Sequence, residues 1–464
     1  MILRILGKDV PLRKLLFVVG EGMLIWAAVM IAAAICPDSA HKSVFSMKLV
    51  SKALLIMVVY QISLYFNELY NLNVTDTYVE LGLRLTKAIG FVCIILSITY
   101  YYFPFLLVGR GIFFVSLLFV GFLIGFWRYL YNWMLKKKMF TEKIFLLGSG
   151  SLAQKILNEI NGYRDSGYRV SGIISANSNP SSALPEDIPV YKLKGDFYEL
   201  AEFQNVRKII VAMGDRRGRL PVEELLHCKM QGITILEGET FYEKLTGKIV
   251  AENINPSWFI FSDGFRQSKF GHFSKRLTGL IFSSLGLLLS LPLTIIIAIA
   301  IKLDSKGPVI YRQERCGQNG RAFRLCKFRS MIDNAEAECG PIWAQDNDCR
   351  VTRVGRILRK YRLDEIPQMW NVLRGDMSFV GPRPERPEFV RELEKIVPYY
   401  SERLSVKPGI TGWAQVSYGY GASVEDALEK LRYDLFYIKN MTIIMDFMII
   451  LRTVKIVLLN NGAR

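Results

Sequence analysis

Four long apolar runs fill the first 135 residues, at roughly Leu15–Cys36, Leu49–Phe66, Ala88–Val108 and Gly111–Leu135. Each approaches the ~20 residues a helix needs to cross bilayer hydrocarbon. Soluble helices would show polar faces, and these runs do not. Only Arg110 and its neighbours separate the third run from the fourth, which predicts a tight helical hairpin. The pattern therefore predicts a four-helix transmembrane bundle over residues 1–138. Beyond it the periodicity changes. The stretch KIFLLGSGSLAQKILNEI reads as an apolar strand, a glycine turn and an amphipathic helix. Further strands are expected at Val170–Ser175, Lys208–Met213 and Ile233–Leu236. Strands alternating with helices predict a doubly wound parallel sheet across about Thr141–Phe265.

A fifth apolar run, Leu277–Ile301, is long enough to span, yet both its flanks are basic. Lys275 and Arg276 precede it, and Lys302, Lys306, Arg312 and Arg315 follow. Positive charge stays on the cytoplasmic side, so both ends want the same side. Pro292 removes a backbone hydrogen bond and should bend the helix, and Ser290 could re-satisfy a freed carbonyl. The expected solution is a re-entrant helix–break–helix over about 275–302, with a plain fifth span as the alternative. Near the C-terminus, Thr442–Leu459 is apolar but carries Asp446, Arg452 and Lys455, which reads as an interfacial amphipathic helix.

Composition sharpens this picture. The chain has 464 residues, 51% hydrophobic, only 22% charged, with net charge +17. Such a basic excess suits nucleic acid, anionic lipid or phosphorylated substrates, and the apolar runs favour the last two. The same charges orient the spans. Arg4, Lys8, Arg13 and Lys14 precede the first, Arg84 and Lys87 the third, and Arg128 with Lys136, Lys137 and Lys138 close the fourth. Both ends of the bundle are then expected in the cytoplasm, with Lys42 and Lys48 as a weak conflict. Glu21, inside the first span, is expected to reach the interface or face a neighbouring helix. No cleaved signal peptide is expected, because the first apolar run is too long and lacks a small-residue cleavage site. Seven cysteines without a CxxC pair, and only three histidines, argue against structural zinc and for reduced thiols.

The glycine turn supplies Gly148, Gly150 and Ala153 in a GxGxxA pattern, suited to phosphate at a helix N-terminus. A dinucleotide fold wants an acid about 20 residues on, and Ser175 and Asn177 stand there instead. NAD-dependent chemistry is therefore not expected. A structural or regulatory nucleotide-binding-like domain is.

Candidate chemistry lies further on. Between Lys306 and Ser330 seven cations face one acid, Glu314, and alternate with Val309, Tyr311, Phe323, Leu325 and Phe328. This predicts strands with one basic face beside acidic lipid or a phosphorylated ligand. In LRKYRLDEIPQMWNVLRGD, Pro367 and Gly375 bracket a helix expected at about Glu365–Arg374, with Asp364 near its N-cap. The dyad would then sit at the positive end of the helix dipole, which lowers carboxylate pKa values. Neighbours on a helix point ~100° apart, so Asp364 and Glu365 suit separate roles. One can attack phosphorus while the other holds Mg²⁺. A capping Asp beside a surface Glu fits the same spacing equally well. Arg359 lies upstream, and Arg383 and Arg386 follow in the proline-stiffened GPRPERP loop. Guanidinium forks match phosphate oxygens, although surface arginines in a turn are the alternative.

The run from about Lys275 onward resembles the bacterial sugar transferase family, the polyprenyl-phosphate phosphoglycosyl transferases. The resemblance rests on KRLTGLIFSSLGLLLSLPL, GPVIYRQERCGQNGRAFRLCKFRSM, GRILRKYRLDEIPQMWNVLRGDMSFVGPRPERP, KPGITGWAQV and YDLFYIKNMTIIMDFMIIL, in family order. The upstream part is similar to large members that carry four N-terminal spans and a Rossmann-like domain. The resemblance implies a membrane α plus α/β protein in three parts. These are the four-helix transmembrane bundle at 1–138, a Rossmann-like parallel α/β domain at 139–265, and a monotopic α+β catalytic domain with a re-entrant membrane helix at 266–464. It implies a ping-pong reaction in which Asp364 attacks the β-phosphate of a UDP-sugar, releases UMP and forms a phosphosugar–aspartyl intermediate. Undecaprenyl phosphate would then take the sugar phosphate, with Mg²⁺ on Glu365. Lys327, Arg329 and Arg359 match basic positions near the family's active site, and Arg383 a substrate-phosphate position. Leu291 stands directly before Pro292 where many members have Ser, with Ser290 one residue earlier. The implied setting is the bacterial inner membrane, with the catalytic domain on the cytoplasmic side among membrane lipids. The implied pathway is exopolysaccharide, capsule or O-antigen initiation, without nucleic acid, and with the middle domain a candidate for homodimer formation. Two other readings are a glycosyl transferase that releases UDP and a membrane-anchored nucleotide sensor or scaffold.

Overall fold

A computed structural model describes residues 2–5, 8–36, 46–70, 78–137, 139, 141–163, 165–175, 188–192, 197–214, 220–250, 264–265, 269–333, 350–419, 421 and 423–459. Asn177, Lys42 and Lys138 of the sequence reading lie outside them. The chain divides near Phe241 and Tyr242 into two compact units.

Short strands β1 (Ile2–Ile5) and β2 (Lys8–Pro11) precede the first unit's four long helices: α1 (Leu12–Ile35), α2 (Met47–Phe66), α3 (Tyr78–Tyr102) and α4 (Arg110–Lys136). All four are long and apolar enough to cross a membrane. They share one core, to which α1 gives Ile25, Ala28, Val29 and Ala32, α2 Leu49, Ala53 and Ile56, α3 Val92 and Leu96, and α4 Val120 and Ile124. The small Ala28 and Ala32, both fully buried, allow close backbone approach where lipid supplies no hydrophobic drive. Helices α3 and α4 form the expected hairpin across Pro104–Leu106 and Gly109. Glu21 faces a neighbouring helix: it meets Arg128 of α4 at 2.7 Å, and both are buried. Arg128 also donates to the Leu69 carbonyl and lies over the Phe17 ring.

The same unit holds a five-stranded, all-parallel sheet. Its strands are β3 (Glu142–Leu147), β4 (Tyr168–Ser175), β5 (Val190–Lys192), β6 (Lys208–Val211) and β7 (Thr234–Glu237), in the order β5-β4-β3-β6-β7. All four expected strands match to within two residues, and only β5 of this sheet has no counterpart in the sequence reading. The order reverses at β3, after which the chain enters α5 (Ser151–Gly162) through the glycine turn, and α6 (Phe197–Phe203), α7 (Val222–Met230) and α8 (Gly238–Thr246) follow in sequence. Gly148 has φ +112°, and an added Cβ would stand 2.9 Å from the Ala212 carbonyl, so glycine is required there. Gly150 caps α5 with open space around it, whereas Ala153 is buried inside the helix packing. Ser175, at the end of β4, sits 3.1 Å from the Ser149 hydroxyl of the turn. A hydroxyl pair thus occupies the place where an acid would meet a ribose.

In the second unit the fifth apolar helix, α9, runs Lys269–Asp304 for 36 residues. Pro292 lies inside it without ending it. Ser290 Oγ donates to the Leu287 carbonyl, not to the Leu288 carbonyl that proline cannot serve. The expected hydroxyl rescue of the freed group is therefore not made. Both halves of α9 rest on the same body. In the first half, Arg276 donates to the Val372 and Leu373 carbonyls, and Met369 packs on Gly286. In the second, Ile297 and Ile301 pack with Phe328 and Leu358, and Asp304 accepts from the Val354 N–H. Much of its remaining apolar surface is bare, with Leu288 and Leu289 about 70% exposed.

An antiparallel hairpin follows, β8 (Ile310–Cys316) with β9 (Ala322–Phe328). Alternation along this register does not give the single basic face expected. Arg312 and Arg324 fall on one side, Arg315 and Lys327 on the other. Next come α10 (Arg353–Lys360), a 3-10 turn at Leu363–Glu365 and α11 (Gln368–Arg374). Strand β10 (Ser378–Val380) pairs in parallel with β11 (Gly409–Thr411), and α12 (Pro387–Ile396) lies between them in sequence. Helices α13 (Trp413–Ser417), α14 (Val424–Lys439) and α15 (Ile443–Leu459) complete the unit. Its core gathers Val380, Val390, Leu393, Trp413, Leu431, Leu435, Phe436, Met445 and Ile449. Helix α15 buries Met445 and Ile449 and exposes Ile444, Phe447, Val454 and Leu458. Its Asp446 is buried, paired with Lys275 and Tyr437.

Candidate active site

The dyad is set by local backbone rules. Arg362 adopts a left-handed conformation (φ 53°, ψ 24°), which α10 cannot continue through. The chain then turns through Leu363–Glu365 before Pro367 leads into α11, closed by Gly375 at φ 97°. The helix therefore starts at Gln368, three residues later than expected, and Asp364 caps nothing. At seven residues α11 is too short for its dipole to govern the carboxylates. Nearby cations do that instead.

Lys327 of β9 reaches Glu365 at 3.0 Å and stands 3.9 Å from Asp364. Arg383, from the loop after β10, reaches Glu365 at 2.9 Å. Arg359 of α10 is turned inward by a 2.9 Å bond from its Nε to Ser330 Oγ. Gly355 makes that possible, since a Cβ there would overlap the Ser330 carbonyl. The two carboxylates consequently differ. Glu365 is raised by burial, but Lys327, Arg383 and Arg362 outweigh this and hold it well below the usual carboxylate range. Asp364 moves the other way: burial pushes its pKa up, and the charge on Glu365 adds to this against Lys327, Arg359 and Arg383. The dipole argument expected both to fall, and desolvation reverses it for Asp364. Asp364 is 8% exposed. Among the described residues, no donor is hydrogen-bonded to its carboxylate.

Asn371 of α11 is a structural partner that sequence reasoning missed. Its Oδ1 accepts from the Cys326 N–H at 2.9 Å and its Nδ2 donates to the Arg324 carbonyl at 2.8 Å. A side-chain amide thus pairs with the outer edge of the strand that carries Lys327. Arg329 does not join the carboxylates. It is 4% exposed and donates to Ser305 Oγ and its carbonyl, bracing the turn after α9. Arg386 also stands apart, at the N-terminus of α12 over the Phe389 ring. The structure thus gathers Lys327, Arg359 and Arg383 around Asp364 and Glu365, and leaves out Arg329 and Arg386. Arg403 and Asp434, a buried pair behind the Arg383 loop, carried no recognisable sequence signal.

No group of three His, Cys, Asp or Glu residues that could cage a metal occurs among the described residues. Mg²⁺ needs no such cage, since it keeps waters and takes substrate phosphate oxygens beside one or two carboxylates. The single ionised Glu365 fits that donor set.

Residues 270–460 match the family described as bacterial sugar transferase. A protein of Aeromonas hydrophila, UDP-N-acetylgalactosamine-undecaprenyl-phosphate N-acetylgalactosaminephosphotransferase, is 40% identical over 240 residues, 52% of this chain and 56% of that protein. A Caulobacter vibrioides protein, UDP-glucose:undecaprenyl-phosphate glucose-1-phosphate transferase, is 42% identical over 193 residues, 41% of this chain and 71% of that protein. The exopolysaccharide production protein PSS of Rhizobium leguminosarum bv. phaseoli is 43% identical over 180 residues, 38% of this chain and 90% of that protein. The match spans about half the length of the Aeromonas protein. With residues 270–460 matched to the family, and 71% and 90% of two relatives covered at 42% and 43% identity, this chain belongs to the bacterial sugar transferase family.

Proposed function

We propose that this protein transfers a sugar-1-phosphate from a UDP-sugar to undecaprenyl phosphate and releases UMP. The observation that carries the reading is the asymmetry of the dyad. Glu365 is held by two cations at about 3 Å, whereas Asp364, equally buried, accepts no hydrogen bond among the described residues and has Lys327 no nearer than 3.9 Å. A committed anion and an uncommitted carboxylate are what separate binding and attacking roles require. One Asp364 oxygen attacks the β-phosphorus. The bond from that phosphorus to the oxygen bridging to the α-phosphate breaks, and its electron pair leaves with UMP. An oxygen of undecaprenyl phosphate then attacks the same phosphorus and displaces the Asp364 carboxylate. Lys327 and Arg383 neutralise phosphate charge as it shifts. Glu365 would hold Mg²⁺, which supplies charge neutralisation on the diphosphate.

Two anionic substrates, one of them in the membrane, explain the basic setting. We place α1–α4 across the bacterial inner membrane as a bundle, with the catalytic unit on the cytoplasmic side, because the basic clusters flank those spans. We read α9 as re-entrant. Supporting this, both its flanks are basic, both halves rest on the α10–α11 segment, and Pro292 with the back-bonded Ser290 and Thr294 favours a bend. The pathway is initiation of exopolysaccharide, capsule or O-antigen synthesis.

The test incubates the membrane-embedded protein with undecaprenyl phosphate and a panel of UDP-sugars. UMP is the expected nucleotide product, and UDP without UMP would defeat the proposal. Asp364→Asn is expected to lower turnover by at least about 1,000-fold, as loss of a nucleophile does elsewhere.

A further inference from the structure

The loop that presents Arg383 is held in an unusual way. Four consecutive carbonyls each accept a hydrogen bond from a different donor outside the loop. Gly409 N–H donates to Pro382 O at 2.9 Å and Cys316 N–H to Glu385 O at 2.9 Å. Between them, Arg403 Nη2 donates to Arg383 O at 3.1 Å and Arg315 Nη1 to Pro384 O at 3.0 Å. Pro382 and Pro384 have no N–H and a fixed φ, so these carbonyls are the main handles by which the loop can be gripped.

Both guanidinium donors have all three nitrogens engaged, but Arg315 leans on the partly exposed Gln313 amide, whereas Arg403 is 5% exposed and held by buried partners. Nε and Nη2 bond Asp434 Oδ2 at 3.2 and 2.9 Å, and Nη1 bonds the Tyr400 hydroxyl at 2.6 Å. Asp434 is 2% exposed, from α14. A buried pair of this kind is poor evidence for stability, since burial of both charges offsets their attraction. It is well suited to fixing one geometry, because a planar fork held at every nitrogen cannot rotate.

We propose that Arg403, braced by Asp434 and Tyr400, is a positioning residue that sets where the Arg383 guanidinium stands against Glu365 and the substrate phosphate. This rests on the phosphate-handling role given to Arg383 above. Arg403 itself touches neither carboxylate of the dyad in any hydrogen bond or ion pair.

The test is a double-mutant cycle on UMP release by the full-length protein. Arg403→Lys keeps the charge opposite Asp434 but cannot serve carboxylate, hydroxyl and carbonyl at once. It is expected to lower kcat/KM about 10–100-fold, the scale of hydrogen bonds to a charged group. In an Arg383→Ala background the same change should cost less than about twofold, because the group it places is gone. Equal losses in both backgrounds would mean a general structural role and overturn the proposal. Hydrogen exchange of the peptide spanning 381–386 gives a readout independent of turnover. It should accelerate at least about tenfold in Arg403→Lys and Asp434→Asn, with peptides of α14 unchanged. An unchanged loop, or acceleration across the whole unit, would also refute it. Should Arg403→Lys fail to fold, Asp434→Asn and Tyr400→Phe carry the same cycle. If the wild type releases no UMP, or Arg383→Ala is silent, the proposed reaction or the role of Arg383 falls. The loop exchange then still decides whether Arg403 holds the loop.

Discussion

Replacing Asn371 by alanine should loosen the site without touching a carboxylate. Asn371 is fully buried and closes the outer edge of β9 with two hydrogen bonds. Alanine leaves the buried Cys326 N–H without a partner, at a cost of ~1–3 kcal/mol for an unsatisfied buried donor. The Arg324 carbonyl is only partly buried, so water can replace the lost amide, and that bond contributes ~0.5–1.5 kcal/mol. The sum is about 2–4 kcal/mol. For a unit of this size 1 kcal/mol moves the melting temperature by ~2–4 °C, so a fall of about 5–15 °C is expected. Thermal unfolding of the full-length protein in detergent, followed by intrinsic fluorescence, measures it. Lys327 lies one residue beyond Cys326, so turnover should fall in the same variant. Asn371→Asp separates the two bonds, because it keeps the acceptor for Cys326 and loses the donor to Arg324. It should cost less than alanine on the Cys326 side but adds a charge beside Asp376, whose Oδ2 lies 3.3 Å from Nδ2. A melting temperature within 2 °C of wild type for Asn371→Ala would refute the reasoning, since it would show that edge to be satisfied by something else.

Two further outcomes follow from the site. The proposed reaction needs Asp364 ionised, and burial raises its pKa, so kcat/KM should fall on acidification with a midpoint above the ordinary 3.8 of Asp. Lys327 lowers that pKa, so Lys327→Met should move the acid limb to higher pH, and a limb that stays or moves down would contradict the assignment. Gly355→Ala should push α10 off Ser330, costing ~1–3 kcal/mol as overpacking does and displacing Arg359. A variant with wild-type melting and wild-type rates would show that the close approach is not needed.

How much of this was legible before the fold was known varies with the physics of each element. The long helices were plain, because ~20 apolar residues in succession have few other uses. The parallel sheet followed from alternation, except β5, whose three residues leave no period to detect. The start of α11 was misplaced because the left-handed Arg362 and the tight turn after it leave no mark in composition. The basic hairpin was found, but its charges divide between two faces, and that division depends on register. The dyad, Lys327, Arg359 and Arg383 came from motif and resemblance. The buried partners Asn371, Arg403 and Asp434 did not, since an amide or an ion pair acquires meaning only when distant segments meet. Arg329 shows the converse: its motif pointed to the site, and the fold uses it to brace the turn after α9.

The seating of α9 bears on how this protein can be handled. Its apolar segment is not a detachable tether, because the surfaces of Phe328, Leu358 and Val372 that support the reactive turn lie directly against it. Cutting away 269–304 to obtain a water-soluble protein would remove the surface on which the Asp364–Glu365 turn is seated. A usable water-soluble form would have to keep that helix and recolour only its bare side, at positions such as Leu288, Leu289 and Ile296.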